Sequence, residues 1–107
     1  MAEPTLQQIF GTGATQTSTT VTFLKSDIGV TAAEASGEAV LAGTALKAKE
    51  YLTQANFDAN IDQSVVVEEG FSSFVTRGES NTSYRNDQLT LTFSKVDSGA
   101  TLNPNDY

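Results

Sequence analysis

Around Val21 and Phe23 the chain alternates. These two residues fall on one face and Thr20 and Thr22 on the other, the two-residue period of a half-buried strand, with "SDIG" after it as a turn. The period then lengthens. Leu41, Ala45, Ala48, Leu52 and Ala55 recur at spacings of four, three, four and three, an apolar stripe that predicts a helix over about 32–55, with Glu38, Lys47 and Glu50 facing outward. Thr31 and Glu34 stand at capping-box spacing to open it. Gly37 and Gly43 inside this stretch each cost about 1 kcal/mol relative to alanine. Either the helix begins later than the cap implies, or another backbone approaches closely there.

Two further patterns flank this centre. At the amino end, Leu6, Ile9 and Phe10 share one side of one or two helical turns over 4–10, and the polar "GTGATQTST" after them reads as a loop or extended arm. Towards the carboxy end, "DQSVVVEEGFSSFVT" reads as two strands around a Glu69-Gly70 turn, with Val65 and Val67 on one face. Phe71 and Phe74 break the alternation there and call for a bulge or a wider turn. The segment 77–87, "RGESNTSYRND", is polar and reads as a long loop. Leu89, Leu91 and Phe93 then line one face of a last strand, with Thr90, Thr92 and Ser94 opposite, and Pro104 bars a further central strand in the tail.

The first and last strands use almost the same words. "TVTFLKSDIG" from Thr20 and "TLTFSKVDSG" from Thr90 share Thr, Thr, Phe, Lys, Asp and Gly at matching positions. Half-buried strands converge on such alternation by composition alone, and direct pairing of the two, with Phe23 against Phe93, is the competing reading. Element order is thus an arm over 1–19, a β-α-β-β-β body over 20–99 and a tail over 100–107. This predicts an α+β fold with one amphipathic helix on a small, mainly antiparallel sheet of about four strands.

Composition narrows what such a domain does. A chain of 107 residues makes one domain, which hides roughly 65% of its unfolded surface. Thirteen acidic residues against six scattered basic ones leave a net charge of −7. That balance disfavours nucleic acid and anionic membranes as partners. No segment approaches the roughly 20 apolar residues of a membrane span, and "MAEPTLQQIF" carries no secretion signal.

Candidate chemistry is sparse. Histidine and cysteine are both absent, which removes the commonest general base, the thiolate nucleophile and the usual zinc ligands. The Gly11–Gly13 "GTG" follows a helical turn rather than a strand and has no Lys-Ser/Thr pair after it, so it reads as a plain loop. Asp58, Asn60, Asp62, Ser64 and Glu69 sit at calcium-loop spacing. Gln63 replaces the turn glycine, however, and the valines that follow predict a strand, which favours a solvated helix-to-strand loop. Asn81-Thr82-Ser83 fits a glycosylation sequon without a signal to deliver it. No catalytic, cofactor-binding or metal-binding residue is assigned, and the chain reads as non-enzymatic.

The segments "PTLQQIFGTGATQTSTTVTFLKSDIG" and "FSSFVTRGESNTSYRNDQLTLTF" resemble small proteins of tailed bacteriophages, cyanophages among them. The resemblance implies a virion structural protein, a capsid decoration or cement subunit, with a neck or tail component as the nearest variant. Its partners would be other copies of itself and other virion proteins, in a particle assembled in the host cytoplasm. The alternative, from a different class, is a protein- or ligand-binding module that uses the 77–87 loop.

Overall fold

A computed structural model describes residues 3–99 and 101–107. Met1 and Ala2 of the expected arm and Ala100 of the expected tail lie outside the described residues. The fold is α+β, as the periodicities predict. Its four strands form two separate two-stranded antiparallel sheets rather than one.

The amino-terminal segment folds back on the body instead of extending away from it. Helix α1 (Leu6–Phe10) opens on a capping box in which Thr5 Oγ1 accepts from the Gln8 amide at 3.2 Å and Gln8 Oε1 accepts from the Thr5 amide at 2.9 Å. It stops at Gly11, where φ is +111° and a Cβ would clash with the Asp27 side chain. Strand β1 (Thr15–Gln16) then pairs with β2 (Val21–Thr22), and Phe10 stacks on Phe23 with ring centroids 5.3 Å apart. A 3₁₀ turn over Lys25–Ile28 follows.

The expected long helix is two. Ser36, not Thr31, caps α2 (Gly37–Ala48), its Oγ accepting from the Ala39 amide at 3.1 Å. Residues 31–35 stay outside the helix, where the Lys25 ammonium holds the Ala32 and Ala33 carbonyls. Gly37 is therefore the first helical residue. Gly43 is a true close approach, since a Cβ there would lie 2.5 Å from the Ile28 carbonyl oxygen. The stripe breaks after Ala48 because the Leu52 carbonyl accepts from Val67 at 2.8 Å instead of from residue 56. Thr53 Oγ1 takes the Asn56 amide and so caps α3 (Gln54–Ala59).

Strand β3 (Val65–Arg77) runs straight through the expected Glu69-Gly70 turn, and the expected irregularity is a bulge between Glu69 and Ser72. The reversal comes only after the thirteen residues of the strand, at 78–81, where Gly78 (φ +82°) and Asn81 (φ +53°) adopt left-handed conformations. Strand β4 (Thr82–Phe93) absorbs most of the segment expected to be a loop. Main-chain pairing with β3 suffices to extend a polar sequence that has no apolar alternation of its own. The buried centre is small: Ala48, Leu52 and Val67, packed with Ile9, Val65 and Leu89.

The doubled phrase does not pair with itself. Its first copy lies in the β1–β2 sheet and its second in the β3–β4 hairpin, where Phe93 meets Tyr107 rather than Phe23. The copies share a local device instead. Each ends on a glycine in the left-handed region (φ +77° at Gly29, +75° at Gly99), and each lysine reaches across that bend to a carbonyl: Lys25 to Ala33 at 2.9 Å, Lys95 to Thr101 at 3.1 Å.

Candidate functional site

The β3–β4 hairpin leaves the body at Val67 and exposes both faces beyond it. Register sorts its side chains. Val65, Val67, Glu69, Ser72 and Phe74 share one face with Phe93, Leu91, Leu89, Asp87 and Arg85, while Val66, Val75 and Tyr84 lie on the other. The bulge is what lets one face stay continuous across an odd residue. Only the base of the hairpin is covered: Val66 and Val67 are buried, whereas Phe71 is 85% and Phe74 is 71% exposed.

Between this face and α2 lies an open groove of about 670 Å³, with Leu41, Ala42, Ala45 and Leu46 on the helix side and Leu89 and Leu91 on the hairpin side. Leu41 is 72% exposed, so the stripe that predicted the helix is left largely uncovered along its first half. Its rim is polar. Lys49 donates to Glu69 at 2.7 Å and holds that carboxyl below the usual glutamate range. Farther out, Asp87 Oδ1 accepts from Arg85 Nε at 2.9 Å and from Ser72 Oγ at 2.8 Å. The Arg85 bond first and the Ser72 bond second lower its pKa.

These features make the molecule long for its mass. Its Cα radius of gyration is 16.5 Å, against about 13 Å for a compact chain of this length. Its accessible surface is 8011 Å², against about 5,700 Å² for a compact monomer of this mass.

The residues singled out by motif are spread apart. Asp58 lies in the last turn of α3, where its Oδ1 accepts from Gln54 Nε2. Asn60 is buried with its Nδ2 on the Asn56 carbonyl, and Glu69 is on the hairpin with Lys49. Among the described residues no group of three or more acidic side chains is placed to hold a metal ion. Gln63, standing where a calcium loop has glycine, is buried and donates to the carbonyls of Thr53 and Val65, tying α3 to the foot of β3. The "GTG" amide at Gly13 donates to Asp27 Oδ2 at 3.1 Å, so the loop binds the chain's own carboxylate. Asn81 of the sequon sits in the hairpin reversal. Among the described residues no helix is long and apolar enough to cross a membrane.

The exposed hairpin faces and the groove are what sequence reasoning missed. Their signal was present in Phe71, Phe74 and Val75, apolar residues within the stretch that predicted strands, and in Tyr84, within the polar 77–87 segment that predicted a loop. Comparison with protein-family models, curated proteins and solved structures finds no match to this chain.

Proposed function

We propose that this chain is a non-enzymatic structural subunit that works by assembling in many copies, as a capsid decoration or cement protein of a phage particle. One observation carries the assembly part: a hairpin of 13- and 12-residue strands with both faces open beyond its base. A two-stranded hairpin is marginal in water by itself and gains stability when a further strand or face covers it. The small buried centre points the same way, because it leaves Leu41, Phe71 and Phe74 without cover in the single chain. Placement on a virion rests on the resemblance of the two quoted segments to phage proteins.

The 77–87 segment that the binding-module alternative would use is the hairpin reversal at 78–81 together with the first half of β4 rather than a long loop. Sedimentation velocity over a wide concentration range tests the assembly reading. Species larger than the monomer, growing with concentration, are expected, and one monomeric boundary throughout would overturn it.

A further inference from the structure

We infer that two copies of this chain pair antiparallel along their β4 edges, about a two-fold axis at Asn86, so that two hairpins become one four-stranded sheet. The inference rests on the assembly reading and names the surface and register through which assembly begins.

The edges of the hairpin are unequal. The outer side of β3 is engaged at its foot, where the Val67 amide donates to Leu52. Among the described residues no backbone bond reaches the outer side of β4. Because Val67 points its amide outward, its register partner Leu91 does too, and the two-residue alternation places outward amides at Leu89, Asp87, Arg85 and Ser83. The free edge is twelve residues without proline, about 40 Å of unpaired donors and acceptors. Long bare edges of this kind are templates for strand addition.

Charge selects a second copy and its register. The chain carries −7, so copies repel unless they meet where charge cancels. On β4 the charged residues are Arg85 and Asp87, which sum to zero, whereas β3 carries Glu68 and Glu69 against Arg77. Antiparallel pairing centred on Asn86 sets Arg85 of each copy opposite Asp87 of the other, and those positions own the outward amides that would bond across the axis. Centring on Asp87 would oppose two carboxylates, on Gln88 would set Asp87 against Leu89, and on Thr90 would set it against Phe93. Arg85 already gives Nε to Asp87 Oδ1 and Nη2 to Ser72. A guanidinium has further N–H groups for a second carboxylate.

Area argues for the same occupant. The chain exposes 8011 Å², about 2,300 Å² more than a compact monomer, and a standard interface buries about 800 Å² per partner.

The chain has no cysteine, so a single engineered thiol reports one contact. Asn86 makes no side-chain hydrogen bond among the described residues, and Asn86→Cys keeps the hairpin intact; under mild oxidation it should form a covalent dimer. Ser73→Cys, at the register partner of Asn86 on β3, should stay monomeric under the same conditions. Asp87→Arg should weaken self-association about tenfold, and the double exchange Arg85→Asp with Asp87→Arg should restore it. A circular-dichroism melt of each variant at low concentration separates a lost interface from a lost fold. Equal cross-linking at both thiols, or oligomers indifferent to the charge exchange, would overturn the edge pairing while leaving assembly standing. A monomer at every concentration would overturn both.

Discussion

At position 43 the missing side chain is a packing requirement. A Cβ on Gly43 would sit 2.5 Å from the Ile28 carbonyl oxygen, whereas one on Gly37 would meet nothing within 4 Å. Gly43→Ala is therefore expected to destabilise by about 1–3 kcal/mol through overpacking. Gly37→Ala should instead stabilise by up to about 1 kcal/mol. Paired urea denaturations would check the opposite signs. Glu69 offers a second test. Its carboxyl is lowered by the hydrogen bond and charge of Lys49, so in Lys49→Ala it should titrate higher, in the ordinary glutamate range, by carboxyl NMR. A lowered folded pKa stabilises above the unfolded value of about 4.3, and that contribution is lost as pH falls through the folded value. Acid melts of the two proteins should accordingly converge. Both glycines were legible in sequence as anomalies within a helix. Which of the two explanations applied to which glycine was not, because that depends on where Ile28 is brought.

Among the elements, the doubled phrase is instructive. Identical alternation made Phe23 and Phe93 look like neighbours, yet Phe23 packs on Phe10 and Phe93 on Tyr107. Truncating Phe23 and Phe93 together should be additive within about 0.5 kcal/mol. A Phe10–Phe23 double-mutant cycle should show a coupling of about 0.5–1.5 kcal/mol beyond area burial. Denaturant titrations of the single and double alanine variants measure both. The long helix failed as an expectation for a related reason. Its apolar stripe does continue through Leu52 and Ala55, but the Leu52 carbonyl is claimed by Val67, fifteen residues on, and no local pattern announces that bond.

For the molecule as a whole, the distal hairpin contributes nothing to the buried centre. Glu69 and Leu89 are register partners whose amides face outward, so residues 71–87 can be replaced by an Asn-Gly turn that leaves Gly70 and Gln88 as the hydrogen-bonded pair closing a short hairpin. The shortened protein should melt cooperatively, with stability changed by less than about 1 kcal/mol, and should no longer self-associate. Calorimetry with sedimentation would check it. Loss of cooperative melting would mean instead that the distal hairpin belongs to the folding unit.

What the sequence determined by itself was local. Alternation at Val65–Val67 and Leu89–Phe93, the spacing of Leu41, Ala45 and Ala48, the helical turn before Gly11 and the irregularity near Phe71 all declare themselves within a few residues, because strand and helix periods are short-range properties. The α+β class follows from them, and the missing histidine and cysteine bound the chemistry. Tertiary structure decided which strands pair, where the helix stops and which apolar residues stay outside. Those outcomes depend on bonds such as Val67 to Leu52 and on which faces find cover. Pairing across a distance competes between many candidates of nearly equal local quality, so the polar 82–87 segment becomes strand when β3 lies beside it. The open β4 edge, on which the proposed pairing depends, is likewise a property of the folded chain alone.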